Sequence, residues 1–246
     1  MQTQGAQPAG TSDEQSAARA VREMFDSIAP RYDLLNHVLS MNVDRLWWWR
    51  TARTFRRVLS QPDSVVLDIC CGTGDMTMAL LRLRPPDGKP IIAADFAHQM
   101  LIRGQSKFSE HNVFAVEADA LQLPLASNSV NLITTAFGFR NLASYRKGLE
   151  EFHRVLRPGG QFGILDFSEP SGLLGKVYSF YFRCVLPAIG SRISGISGPY
   201  AYLPASVHKF PPPGEMLVEI RAVGFEEISW QPFSFGIAGL YRGMKP

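Results

Sequence analysis

No Cys-x-x-Cys pair occurs in this chain, and its 246 residues hold only three cysteines, Cys70, Cys71 and Cys184. Cys70 and Cys71 are adjacent, and neighbours in a strand point to opposite faces, so the two do not grip one metal together. No metal site is expected, and free thiols in a reducing compartment follow. Long apolar runs are also missing. A spanning helix needs about 18 such residues, and the nearest stretch, Leu173–Ile189, is interrupted by Lys176 and Arg183. Residues 1–20 show no basic start followed by an apolar core, which excludes a signal peptide; they read as a disordered lead. A cytoplasmic protein is expected, with peripheral contact at the inner face of the membrane left open. Charge of one sign is scarce: 25 Lys and Arg against 22 Asp and Glu leave +3, which does not demand nucleic acid. Internal repeats and a Gly-Lys-Ser/Thr phosphate loop are absent as well.

Apolar residues make up 46% of the chain and charged residues 19%, so a sizeable core can form. From Val65 onward apolar runs alternate with helix-like segments. Val65–Cys70, Ile91–Asp95, Val113–Glu117, Val130–Thr135 and Gln161–Phe167 read as strands. Asp75–Leu83, His98–Lys107 and Leu142–Leu156 read as helices, the last stopped by "RPGG". This alternation predicts an α/β fold, a doubly wound and mostly parallel sheet covered by helices on both faces. The tail supplies two further runs without a helix between them, which should pair antiparallel at one sheet edge. One domain is expected over 21–246: a helical segment over 21–60, a cofactor-binding core over 65–167, an insertion over 168–215 and the antiparallel edge over 216–246. In open parallel sheets ligands bind beyond the C-terminal strand ends, so the segments over 21–60 and 168–215 are expected to fold there as lids.

"VVLDICCGTGD", Val65 to Asp75, carries the first chemical signal. Gly72, Thr73 and Gly74 follow a strand and open a helix, where glycine permits a tight turn and close ligand approach. Asp95 ends the next strand, 20 residues after Asp75, the place of an acid that grips a ribose diol. A nucleoside cofactor is therefore expected. The position of the third glycine in the dinucleotide fingerprint is Thr77, and Asp68, Asp75 and Asp119 lie near the loop. A pyrophosphate disfavours such neighbours, whereas a cationic nucleoside such as S-adenosyl-L-methionine favours them. Each acid also has an ordinary role: Asp75 in a helix first turn, Asp68 hydrogen-bonded in its strand, Asp119 in a turn.

"LDICCGTGDMT", "AADFAHQML", "ADALQLPL" and "GILDFSEP" resemble the class I S-adenosylmethionine-dependent methyltransferases. "MFDSIAPRYDLLNHVLS", "DRLWWWR", "FGFRN" and "YAYLPASVHKFP" resemble, more narrowly, the ubiquinone/menaquinone biosynthesis C-methyltransferases. The resemblance runs from about Val21 to the C-terminus. It implies a seven-stranded sheet and methylation of a ring carbon on a polyprenylated quinol, most simply demethylmenaquinol, with a benzoquinol of ubiquinone biosynthesis as the alternative. It also implies cofactor contacts from Thr73, Asp95, Asp119 and Ala120. Ala136 departs from the family, which often has a small hydroxyl residue there; it contributes only backbone or shape.

Arg140, after the fourth strand, is the cation placed to stabilise an acceptor phenolate, unless it pairs with an acid. Asn141 is placed to orient the acceptor, or to cap the next helix. Tyr32 is a candidate for ordering the acceptor hydroxyl, or packs as an aromatic. His37 and His208 are candidate bases only by their ordinary titration range. "LLGKVYSFYFRCVLPAIG", with Tyr200, Tyr202 and Phe210, reads either as lining for a lipid tail or as core or homo-oligomer interface. The helix from Asp44 sets three tryptophans beside five arginines, as in an interfacial helix or as a packed helix with solvated arginines. Three rivals remain. An NAD-dependent oxidoreductase is disfavoured by Thr77 and the acidic loop. A nucleic-acid methyltransferase lacks its Asn/Asp-Pro-Pro-aromatic signature here. A non-catalytic scaffold is disfavoured by the intact Arg140 motif.

Overall fold

A computed structural model describes residues 5, 6, 8, 10–29, 42–170 and 198–246. Tyr32, His37, Cys184 and the apolar stretch 173–189 lie outside the described residues. The strands are β1 (Val66–Ile69), β2 (Ile91–Asp95), β3 (Val113–Glu117), β4 (Val130–Ala136), β5 (Leu156–Phe167), β6 (Glu226–Phe233) and β7 (Ala238–Met244). The helices are α1 (Glu14–Ile28), α2 (Val43–Thr54), the single turn α3 (Arg56–Leu59), α4 (Asp75–Leu81), α5 (His98–Phe108), α6 (Tyr145–Val155), α7 (Gly198–Lys209) and α8 (Pro213–Ala222).

The seven strands stand in the order β3-β2-β1-β4-β5-β7-β6. β1 to β5 are parallel, and β7 runs antiparallel to both β5 and β6. The tail thus forms the expected antiparallel edge, with β7, second in sequence, inserted next to β5. Alternating strand residues feed two cores. Leu67, Ile133 and Ile164 pack on one face with Leu149 and Phe152 of α6. Val66, Leu132 and Leu165 pack on the other with Trp47 and Trp48 of α2 and Leu80 of α4. This period of two is what a sheet buried on both faces requires.

Three expectations are corrected. Residues 14–20 are helical rather than a disordered lead. Asp13 Oδ1 accepts the Ser16 amide at 2.7 Å in a capping box, and Ala17 and Val21, one helical turn apart, are buried. Strand β5 begins at Leu156, not Gln161: Leu156 pairs with Val130, the register then shifts, and "RPGG" is a bulge inside the strand. Helix α6 begins at Tyr145, not Leu142, because the Ser144 hydroxyl caps it by accepting the Lys147 amide. Among the described residues no helix is long and apolar enough to cross a membrane.

Candidate active site

The strand order reverses between β1 and β4, and at this switch point the C-terminal strand ends open a crevice. A cleft open to solvent occupies it. Its walls include Cys70 and Gly72 after β1, Asp95 and Phe96 at β2, Ala118–Leu121 after β3, and Ala136–Gly138 with Asn141 after β4. Helix α1 closes one side with Ala18 and Phe25. Arg22 of α1 meets Glu117 at 3.2 Å, and Asp26 Oδ1 accepts the Gln99 amide at 2.9 Å, so polar contacts hold this helix in place.

Asp95 fixes the loop after β1. One carboxylate oxygen accepts the Gly72 amide and the other the Ala97 amide, both at 2.8 Å. Burial raises its pKa to about 6, against the opposing effect of those amides. Gly74 has φ of 90° and precedes α4, a left-handed turn that glycine adopts without strain. Asp119 is exposed at the cleft wall and accepts the Leu121 amide at 2.9 Å, so its turn role and its place in the cleft coexist.

The remaining acids of the loop face elsewhere. Asp68 is fully buried and does not line the cleft. The register sets it beside Thr134, whose hydroxyl donates at 2.8 Å, and Thr77 donates to its other oxygen at 2.6 Å. Burial pushes its pKa up to about 7. Thr77, in the third-glycine position, therefore ties α4 to β1. Asp75 pairs with Lys107 at 2.8 Å, and Lys107 also reaches the Thr73 hydroxyl at 3.3 Å. Lys107 was not foreseen as the partner of this loop. The cleft keeps two carboxylates, Asp95 and Asp119, and no Lys, Arg or His among its described lining residues.

The β4 side is held by side chains. Arg140 is not a free cation at the cleft: its Nη1 meets Asp166 Oδ1 at 2.9 Å, and its amide donates to Asp166 Oδ2 at 3.0 Å. Its Nε donates to Ser206 of α7 at 3.3 Å, its Nη1 donates to the Phe137 carbonyl, and its guanidinium lies over Phe167. The alternative of an acid partner is thus the one realised, and Arg140 does not line the cleft. Asn141 does line it, and it caps no helix. Its Nδ2 donates to the Phe137 carbonyl at 3.4 Å, and Tyr202 Oη donates to its Oδ1 at 3.1 Å. Burial raises the Tyr202 pKa to about 12, so this hydroxyl stays protonated at neutral pH. His208 is exposed, with Nδ1 3.1 Å from Glu169.

Asp166, Ser206 and the hydrogen-bonding role of Tyr202 were missed from the sequence. For Asp166 a signal existed: an acid at the end of an apolar strand, as at Asp95, has to find a partner. Phe137 also lines the cleft, with φ of 59°, a left-handed conformation unfavourable to a bulky residue. It packs on Phe167 and Trp47, with ring centroids at 4.5 and 5.9 Å. Cys70, with φ of 55°, presses against Gly138 so closely that any side chain at position 138 would overlap it.

A seven-stranded sheet with one reversed strand and an acidic cleft at its switch point defines a Rossmann-like methyltransferase fold. A solved S-adenosylmethionine-dependent methyltransferase from Thermotoga maritima shows the same fold, with a TM-score of 0.64 at 17% identity, covering 92% of this chain and 100% of that one. Residues 11–245 match the sequence profile of the ubiE/COQ5 methyltransferase family, and the chain belongs to that family. It is accordingly an S-adenosylmethionine-dependent methyltransferase. A Deinococcus radiodurans protein named demethylmenaquinone methyltransferase is 45% identical over 236 residues, 95% of either chain. A Geotalea daltonii protein named ubiquinone/menaquinone biosynthesis C-methyltransferase UbiE is 39% identical over 232 residues, 92% of this chain and 96% of that one.

Proposed function

We propose that this enzyme methylates a ring carbon of a polyprenylated quinol, demethylmenaquinol in the first place. The observation that carries the proposal is a cleft at the switch point with two carboxylates, no basic lining residue among those described, and Asn141 on the opposite wall. Such a site fits a cationic nucleoside and disfavours a diphosphate. The names of the relatives supply the acceptor class.

S-adenosylmethionine, when bound, supplies an electrophilic methyl group on its sulfonium. Asp95 would hold its ribose diol, and Asp119 with the Ala120 backbone its base; Phe96, Met100 and Leu121 add apolar surface. Gly72 and Gly74 would shape the loop around it, and Ala136 leaves room beside it. Thr73 and Asp68 would act one step back, through Lys107 and through Thr77 with Thr134. On the acceptor side, a ring carbon becomes nucleophilic once the neighbouring hydroxyl loses its proton. Asn141, oriented by Tyr202, would hold that hydroxyl, and its amide suits the phenolate better than the phenol. Arg140 would act as a positioning residue through the Phe137 carbonyl. Tyr32 is assigned the ordering of the acceptor hydroxyl. Residues 21–246 would work as one unit, with α1 as part of an N-terminal lid that excludes water and 168–215 covering the acceptor.

The test is a methyl-transfer assay that offers a demethylmenaquinol and a demethylated benzoquinol side by side. Faster turnover of the naphthoquinol is expected. Preference for the benzoquinol would move the enzyme to ubiquinone biosynthesis, and turnover of neither would end the quinol assignment.

A further inference from the structure

The exposed face of α2 and α3 is not used by the cleft. Between Asn42 and Ser60 the chain carries Arg45, Arg50, Arg53, Arg56 and Arg57, all exposed, and a single acid, Asp44, which is buried. Leu46 and Trp49 are each 47% exposed on the same face. Leu46, Trp49, Arg50 and Arg53 stand at helical spacings of three, four and seven, so they form one stripe. The Arg53 guanidinium lies 4.7 Å from the Trp49 ring centroid.

The turn between β6 and β7 lies alongside. Trp47 Nε1 of α2 donates to Ser234 Oγ at 2.9 Å, and the Arg50 guanidinium lies over the Phe233 ring. Ser234, Phe235 and Gly236 all have positive φ, which turns the tip outward and leaves Phe235 86% exposed. No other large apolar side chain among the described residues is exposed as far. A phenylalanine displayed in this way leaves most of its ring exposed. Apolar tips among arginines match an interfacial surface: the tips enter the acyl boundary while the guanidinium groups meet anionic headgroups.

We infer that the α2–α3 face and the Phe235 turn form a docking surface for an anionic lipid bilayer. The inference rests on the lipid-quinol reading above and locates where that acceptor is taken up. Trp47 connects the two sites: it holds Ser234 beside the turn and packs against Phe137 of the cleft wall. One layer of side chains thus separates the bilayer face from the acceptor side of the cleft. A mixed face with tryptophan and phenylalanine at its tips favours a bilayer over an acidic protein, for which the arginines alone would suffice.

The experiment is co-sedimentation of the full chain with phosphatidylcholine vesicles, with and without phosphatidylglycerol, at low and high salt. Binding is expected only with phosphatidylglycerol, and should weaken at least tenfold at high salt. Phe235→Ser and the double change Arg50→Glu with Arg53→Glu should each lower vesicle binding about tenfold. Methylation of a short-chain, water-soluble demethylmenaquinol analogue should stay within twofold of the unaltered enzyme. Absence of phosphatidylglycerol binding in the unaltered chain, or binding that both variants retain, overturns the inference. Light scattering that shows a dimer abolished by Phe235→Ser would assign the face to a second copy and overturn it equally. Failure of the soluble analogue to be methylated by the unaltered enzyme would instead strike the quinol reading, so the two failures are distinguishable.

Discussion

The two walls of the cleft are built by different means. On the β1–β2 side one carboxylate, Asp95, collects the backbone amides of Gly72 and Ala97, and the loop takes its shape from main chain. On the β4–β5 side the loop is set by side chains from distant segments: Asp166 of β5, Arg140, and Ser206 and Tyr202 of α7. A backbone cradle tolerates changes in the surrounding side chains. A side-chain network in a dry interior does not, because losing one member leaves another unpaired. The β1–β2 wall is therefore expected to be robust to substitution around it, and the β4–β5 wall fragile and coupled to α7.

The largest contrast is expected from Asp166→Ala. It leaves the Arg140 charge buried without its partner, which destabilises by about 3–5 kcal/mol. Chemical denaturation should show the loss, and the variant together with Arg140→Met should recover much of it. If the single change is as stable as the parent, the β4–β5 wall does not depend on this pair. Next comes Gly138→Ala, where the loops after β1 and β4 touch. Overlap with Cys70 should cost about 1–3 kcal/mol, and Cys70→Gly in the same chain should relieve it; additive losses would show that the two loops are not in contact.

A third expected effect concerns pH. The Asp68 pKa is raised from 3.8 to about 7 in the folded state. The folded chain then holds this proton more tightly than the unfolded one. The resulting stability is complete below about pH 4 and is lost as pH rises through about 7. Asp68→Asn should flatten the dependence of Tm on pH across that window. An unchanged slope would place the titration in another group. The smallest effect is expected from Tyr202→Phe, which removes one hydrogen bond to Asn141. A contribution of about 0.5–1.5 kcal/mol corresponds to a loss of about twofold to thirteenfold in kcat/KM. Cofactor affinity should not move, and an equal loss in that affinity would contradict the division into two walls.

The same division governs what could be read from the sequence. The placement of Asp95 and Gly72 at the cleft was legible because it depends on local spacing within one strand–turn–helix unit. Asp68 was offered both as an acid of the loop and as a hydrogen-bonded strand residue; its hydrogen-bonding partner, Thr134, is set by the register of β1 against β4, which a run of apolar residues does not encode. For Arg140 an acid partner was one of two readings, but its identity was not legible, because Asp166 lies 26 residues away on the neighbouring strand. Asn141 was offered as a helix cap, and Ser144, three positions on, takes that place. The sheet itself was legible down to its reversed edge, since strand and helix periods alternate cleanly. The start of α1 was hidden because its capping box sits in a polar, low-hydrophobicity stretch that also fits a disordered lead.

The most direct measurement is calorimetric titration of the enzyme with S-adenosylmethionine and with NADH between pH 5 and pH 8. Burial places the Asp95 pKa at about 6, so a cofactor that needs this carboxylate ionised should bind well at pH 8 and progressively less below pH 6. S-adenosylmethionine is predicted to follow that curve and NADH to give no heat. Tight NADH binding with none for S-adenosylmethionine, or S-adenosylmethionine affinity that is flat across the range, would contradict an acidic, cation-selecting cleft.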